Sequence, residues 1–240
     1  MDRAALITGG SSGIGLAIAR ALGEDGYRLT ISSRRPDKLE AAAQQLRDDG
    51  LDVESLPANM ADEEEIAKLL EAHRQRRGRL DVLINNAGLG IGGAVADAET
   101  KKLDLQLNVN LRAVYLLARE AIPMLKEAGA EHGKALMVNT ASYAGKHGQG
   151  WLAAYLATKF GVVGLSQALH KELAKDGIQV TALCPGFVAT PMTDWIEGQV
   201  PKDEMIQPED IAEAIRFLLR TSRNCVVPEV QFVRPGDSEI

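Results

Sequence analysis

Tyr155 and Lys159 stand four residues apart, the spacing that puts two side chains on one face of a helix. A phenol with a pKa of about 10 is a poor acid or base at neutral pH, but a neighbouring ammonium favours its ionised form. Bringing it into working range takes about two or three units, each about 1.4 kcal/mol, which a lysine and one further positive charge can supply in a partly desolvated site. As a bare pattern Tyr-x3-Lys is common, and an aromatic ring packing beside a solvated amine explains most cases. Ser142 changes that balance. It falls thirteen residues before Tyr155, just beyond an apolar run at the carboxyl edge of a strand, where its hydroxyl can hydrogen-bond a substrate oxygen.

A second constellation opens the chain. The apolar run Ala4 to Thr8 leads into Thr8-Gly9-Gly10-Ser11-Ser12-Gly13-Ile14-Gly15, and then into the helical pattern Leu16, Ile18, Ala19, Leu22. Glycines in a strand-to-helix turn let backbone approach a pyrophosphate, while the helix start supplies unpaired amides and a positive dipole. The turn lacks the Gly-Lys-Ser/Thr that would hold a nucleoside triphosphate. At the end of the second strand, where an NAD site places a carboxylate on the ribose diol, the chain has Ser33, Arg34 and Arg35. A small hydroxyl followed by guanidinium groups makes room for a 2′-phosphate and hydrogen-bonds it, so NADP(H) is expected over NAD(H).

The elements that must position these groups are legible as apolar runs at 4–8, 28–32, 53–56, 80–84, 135–139, 180–184 and 230–233, separated by helix-length segments of 3.6-residue periodicity. Strands apolar at successive positions are buried on both faces, which predicts an α/β fold of the doubly wound, Rossmann type, with a mostly parallel seven-stranded sheet and helices on both faces. Pro36 suits a first helical turn, and Asp62 with Glu65 predicts a capping box. The irregular stretch 187–207 is expected to be a substrate lid on a single domain spanning 1–240.

The 240 residues are 45% apolar, 25% charged and 4% aromatic, the composition of a globular chain with a proper core. A net charge of −6 offers no general attraction for nucleic acid or anionic membranes. The basic stretch Arg74, Arg76, Arg77 and Arg79 is expected to be a solvated helix end. Cys184 and Cys225 make no disulfide framework, the four histidines show no metal spacing, and no signal or spanning segment is evident, so a cytoplasmic, metal-free protein is expected.

Taken together, the chain resembles a short-chain dehydrogenase/reductase of the single-domain type. The matching pieces are Thr8-Gly9-x3-Gly13-Ile14-Gly15, Asn85-Asn86-Ala87-Gly88, Asn110 within Asn-Val-Asn-Leu, Ser142, Tyr155-x3-Lys159, and Pro185-Gly186 followed by Thr190. The resemblance implies that Tyr155 is the general acid/base, that Lys159 binds the nicotinamide ribose and lowers the tyrosine pKa, that Ser142 polarises a carbonyl, and that Asn110 helps hold a water for proton relay. It further implies that Ser11, Ser12 and their glycine neighbours cradle the cofactor, that Asn59, Met60, Asn86, Ala87 and Gly88 line its adenosine side, and that Pro185, Gly186, Val188 and Thr190 face the nicotinamide. Asn59 stands where the family usually has Asp, and Arg234-Pro235-Gly236-Asp237 replaces the usual Asp-Gly-Gly turn.

The implied function is reduction of a carbonyl to a secondary alcohol by NADPH, or the reverse, on a small-molecule ketone, possibly cyclic or acyl. Met192, Trp195, Ile196, Val200 and Met205 form an apolar set able to close over it, with His147, Trp151 and Leu152 nearby by analogy; packing of the same residues onto the body or a second subunit is the alternative. The apolar helices around 111–125 and 155–173 point to a homo-oligomer, a tetramer or dimer. A silent NADP(H)-binding regulator would more naturally have lost Tyr155 or Lys159, and a sugar-nucleotide epimerase usually has more than the roughly 50 residues found beyond Gly186. Replacing Arg34 with Asp is expected to shift preference toward NADH; equal efficiency of the unaltered protein with NADPH and NADH, read at 340 nm, would refute the assignment.

Overall fold

Seven strands form a single parallel sheet in the order β3-β2-β1-β4-β5-β6-β7. The computed structural model describes residues 3–196 and 198–235. The strands are β1 (Ala4–Thr8), β2 (Arg28–Ser32), β3 (Val53–Ser55), β4 (Val82–Asn85), β5 (Ala135–Thr140), β6 (Ile178–Pro185) and β7 (Glu229–Phe232). The helices are α1 (Gly13–Glu24), α2 (Pro36–Asp48), α3 (Glu63–Arg77), α4 (Thr100–Leu107), α5 (Ala113–His132), α6 (Ala153–Leu173) and α7 (Pro208–Arg220).

The strands are apolar at every position because each face has its own cover. Ile7, Ile84 and Val138 belong to one core with Ile18 and Leu22 of α1 and Ile215 of α7. Their strand neighbours Leu6, Leu83 and Met137 belong to the other, with Leu69 of α3, Leu117 of α5 and Leu169 of α6. Successive side chains on a strand point to opposite faces, so a sheet covered on both sides shows no polar alternation. The chain runs outward from β1 to β3, then returns to β4 on the other side of β1. At that reversal the carboxyl ends of β1 and β4 diverge and leave a crevice.

Three expectations need correction. Asp62 caps α3 by accepting from the amides of Glu64 (2.9 Å) and Glu65 (3.2 Å). The Glu65 carboxylate, however, accepts from the amide of Asn59 (2.7 Å) and not from that of Asp62, whose N–H goes to the Asn59 carbonyl (3.0 Å). The capping box is therefore half-formed, its other half spent on the turn after β3. The arginine run is only partly solvated. Arg77 is buried and donates to the Leu29 carbonyl (2.6 Å) and the Asp52 carboxylate (2.8 Å), while Arg79 forks onto buried Asp81 (2.8 and 2.7 Å). These guanidinium groups satisfy backbone and carboxylate at the amino edge of the sheet, which periodicity cannot reveal.

The third concerns the irregular stretch. It is built of 3₁₀ turns at Pro191–Ile196 and Lys202–Glu204, its two ends closed on each other by a bridge between Val188 and Ile206. Ile196 and Met205 are buried, whereas Trp195 is exposed. Of the apolar set, these two are buried, as the packing alternative expects. Arg234 lies over the Phe187 ring, 5.7 Å from its centroid; Gly236 and Asp237 of the unusual C-terminal turn fall outside the described residues. No helix among the described residues is long and apolar enough to cross a membrane.

Arg77→Ala removes a buried guanidinium and its charge-assisted hydrogen bonds to the Leu29 carbonyl and Asp52, and is expected to cost about 2 kcal/mol. Arg76→Ala, which breaks only a solvent-exposed pair with Glu54 (2.5 Å), is expected to cost less than about 1 kcal/mol. Urea denaturation midpoints of the two variants measure the difference.

Candidate active site

The glycine turn is held by polar contacts from the crossover strand. Thr8 Oγ1 donates to the Ile84 carbonyl (3.3 Å) and accepts from the amides of Asn86 (3.0 Å) and Ala87 (3.1 Å). The Asn86 amide group donates to the Thr8 carbonyl (3.2 Å). The two strand ends flanking the crevice are thereby locked together.

Gly9 and Gly13 take positive φ, 66° and 53°, a region other residues avoid. Gly15 is constrained by contact: a Cβ there would lie 2.4 Å from the Gly9 carbonyl oxygen. Ser12 precedes α1 with no side-chain cap, so the first amides of that helix are not covered by its hydroxyl. A backbone cradle with open amides is what a dinucleotide pyrophosphate needs. Beyond β2, Ser33 Oγ is buried without a hydrogen-bond partner, and Arg34 and Arg35 beside it are exposed and in no described ion pair. A hydroxyl lacking a partner next to two open guanidinium groups suits a ribose phosphate.

A cavity of about 470 Å³ runs from this turn to the second constellation, lined by Gly9, Ser11, Ser12, Gly13 and Ile14, by Asn86, Ala87 and Gly88, by Ser142, Tyr155 and Lys159, and by Pro185, Gly186, Val188 and Thr190. Residues from five distant stretches thus share one crevice. Ser33, Arg34, Arg35 and Asn59 lie outside its walls, as does Met60, whose side chain is in the core; only its backbone remains to meet a ligand. Asn59 spends its side-chain oxygen on the Ala61 amide (3.1 Å).

Three features align the reactive groups. Ser142 ends the approach from β5 and caps a 3₁₀ turn at Tyr143–Gly145, accepting from the Ala144 amide (3.1 Å). That turn rests on α6: a Cβ on Gly145 would sit 2.9 Å from the Lys159 carbonyl oxygen. Ser142 Oγ also donates to the Pro185 carbonyl (3.4 Å), and it shares the cavity wall with the Tyr155 side chain. Lys159, 4% exposed, donates to the Thr140 carbonyl at the end of β5 (2.8 Å), with its Nζ 5.6 Å from the centre of the Tyr155 ring. Asn110 sits in a π-helical turn at Asn108–Arg112. Its Oδ1 accepts from the Leu89 amide (2.8 Å), and its Nδ2 donates to the Leu89 carbonyl (2.8 Å) and to Thr158 Oγ1 (3.1 Å). Both amide hydrogens are committed to protein, so any water at this side chain must donate to its oxygen.

The electrostatics differ from expectation. Burial pushes the Tyr155 phenol up, and the Ser142 hydrogen bond draws it partly back. Burial also pulls the Lys159 ammonium down to about 8. The lysine does not lower the tyrosine here because its ammonium is turned onto Thr140. In this state the phenol holds its proton, and the lysine is charged at neutral pH.

The sequence reading missed Thr140, Thr158 and Gly145, whose types carry no chemistry of their own and whose value is purely positional. It also missed Leu89 and Gly90 in the cavity wall, whereas Met192 of the expected apolar set does line it. Trp195, Val200, His147 and Leu152 do not reach that wall; His147 packs on the Tyr143 ring, with centroids 4.5 Å apart.

The family model for short chain dehydrogenases matches residues 3–200. A Streptomyces coelicolor protein, named as a ketoacyl reductase on provisional grounds, is 38% identical over 236 residues, covering 90% of this chain and 89% of its own. The crystal structure of a point variant of actinorhodin polyketide ketoreductase with NADPH superposes with a TM-score of 0.90 at 32% identity, over 100% of this chain and 98% of that one. An alcohol dehydrogenase from the archaeon Thermococcus sibiricus, complexed with 5-hydroxy-NADP, gives 0.87 at 29% identity, over 97% and 96%.

Lys159 generates a pH signature. Unfolded, its amine holds a proton to about 10.5; folded, it releases it at about 8. The unfolded state then binds more protons across that window, so this residue's contribution to stability rises with pH from about 8 toward 10. Between about pH 7 and pH 9.5 the stability of wild type relative to Lys159→Met is expected to improve by about 2 kcal/mol. Urea titrations at both pH values check it; an unchanged difference contradicts a buried ammonium.

Proposed function

Because the chain belongs to the short-chain dehydrogenase family, we propose that it reduces a ketone to a secondary alcohol with NADPH, or runs the reverse reaction. It is an oxidoreductase acting on a carbonyl/alcohol pair, and its cofactor is NADP(H). The observation that carries the finer reading is that the hydroxyl residues Ser142 and Tyr155 line, together with Lys159, the same crevice as the glycine turn.

Bound NADPH supplies a hydride to the carbonyl carbon. The chain's own residues hold the reacting oxygen and manage its proton. Ser142 and Tyr155 present two O–H groups to the same cavity, where a carbonyl oxygen can accept from both. Tyr155, kept protonated by burial, delivers its proton to the oxygen as negative charge develops there. The phenolate left behind is formed in a low-dielectric site beside the Lys159 ammonium, whose charge then favours the ionised form. In the oxidative direction the same phenolate accepts the alcohol proton.

On the adenosine side, Ser33, Arg34 and Arg35 receive the 2′-phosphate, with Asn59 and the Met60 backbone beside the adenine and Asn86, Ala87 and Gly88 along the ribose. Pro185, Gly186, Val188 and Thr190 border the nicotinamide. Thr193 fixes this corner by donating to the Val188 (2.7 Å) and Thr190 (2.9 Å) carbonyls. Asn110 acts through Leu89 and Thr158, as a positioning residue. Residues 187–207 form the lid of a single domain, with Met192 its apolar contact to a small-molecule ketone. Exposed Tyr115 on α5 and Phe160 on α6 give two helices an apolar face suited to a homodimer or tetramer in the cytosol.

Tyr155→Phe keeps the ring and removes the proton. Turnover of ketone is expected to fall by about 10²- to 10⁴-fold, with NADPH affinity retained in a fluorescence titration. Undiminished turnover would assign the acid elsewhere.

A further inference from the structure

Trp151 is the one non-glycine residue among those described with a positive φ, 72°. Holding an L side chain there costs energy that the surroundings must offset, and such residues cluster at ligand sites. Its indole is also 61% exposed, so little of that cost is recovered by burial. The flanking Gly150 could have taken the strained position at no cost.

The surroundings dictate the conformation. The Trp151 carbonyl accepts from the Gly93 amide (2.8 Å). The benzo edge of the indole lies against Gly92, where a Cβ would fall 2.2 Å from Cζ3 and 2.4 Å from Cε3. Two residues before, Gly90 lines the catalytic cavity, where a Cβ would lie 3.7 Å from the Tyr155 ring. One short glycine-rich loop therefore touches the catalytic tyrosine at one point and seats an exposed, fixed indole at the next. Trp151 itself lies four residues before Tyr155, at the entry to α6.

We propose that Trp151 is a specificity-determining residue: an aromatic platform outside the cavity wall that favours planar, conjugated ketones over saturated ketones of the same size. The inference rests on the carbonyl-reductase reading above. A flat substituent on a carbonyl held at Ser142 and Tyr155 can leave the cavity past Gly90 and stack on the indole, which is preorganised and loses little entropy on binding. The strain and the exposure then both have a function.

The test compares acetophenone with cyclohexyl methyl ketone, which share a carbon skeleton and differ in aromaticity, using purified protein and NADPH. In Trp151→Leu, KM for acetophenone is expected to rise about three- to ten-fold, while kcat and both constants for the saturated ketone stay within about two-fold. Trp151→Phe is expected to retain the preference. Trp151→Gly, which removes the strain, is expected to lose it as the leucine variant does. Equal losses on both ketones would show a merely structural residue, and an unchanged ratio would show a spectator; either overturns the proposal. A wild type that reduces neither ketone counts against the parent reading, and the platform is then decided by binding. Trp195→Phe leaves Trp151 as the sole tryptophan. Saturable quenching of its fluorescence by acetophenone, absent with the saturated ketone, supports the platform, and its absence overturns it.

Discussion

The site depends on a contact that exists because one residue has no side chain. The turn carrying Ser142 rests with Gly145 on the backbone of α6 at Lys159, closer than any Cβ allows. Side chains on a helix can be aligned with one another by spacing alone, but Ser142 belongs to a different element, and its distance from Tyr155 is set by how closely that element approaches the helix. A methyl group at 145 would have to push the turn away or tilt the helix, and the separation of the two hydroxyls would change either way. Two further ties reinforce the same register. Lys159 reaches across to the end of β5 through Thr140, and Asn110 reaches α6 through Thr158.

Much of this was legible because the chemistry of each element is local. Strands buried on both faces announce themselves as unbroken apolar runs, and the seven runs found that way correspond to β1 through β7, with only their ends displaced. The glycine turn is equally local, since its shape needs residues without side chains at fixed positions. What could not be read were partners chosen by the tertiary fold. Glu65 had a spacing suited to its own N-cap, yet the turn at Asn59 came within reach and took the carboxylate. Arg77 had the sequence context of a solvated helix end, yet that end abuts the amino edge of β2, where the Leu29 carbonyl and the Asp52 carboxylate accept from it. In 187–207, composition identified an apolar set but not the division between Ile196 and Met205, which are buried, and Met192, which lines the cavity.

Electrostatics shows the same limit in a sharper form. Spacing alone suggests that a lysine one turn from a tyrosine depresses its pKa, and the direction would be right if the ammonium faced the phenol. The ammonium instead satisfies itself on a backbone carbonyl, and burial acts on both groups against their charged forms, raising the phenol and lowering the amine. This arrangement keeps the acid loaded in the resting protein.

The two halves of the crevice are coupled through Asn86 and Thr140. Asn86 holds the glycine turn by donating to the Thr8 carbonyl, and its oxygen accepts from Thr140 Oγ1 (3.4 Å). Thr140 in turn gives its backbone carbonyl to Lys159. A single path of polar contacts therefore runs from the pyrophosphate cradle, across the carboxyl ends of β1, β4 and β5, to the base of the catalytic helix. These contacts lie on a sheet edge packed from both sides, so the cradle and the lysine cannot shift independently without breaking a hydrogen bond in a site with little water to replace it. The glycine turn and the lysine, at opposite ends of the crevice, are thereby held in one register by the sheet.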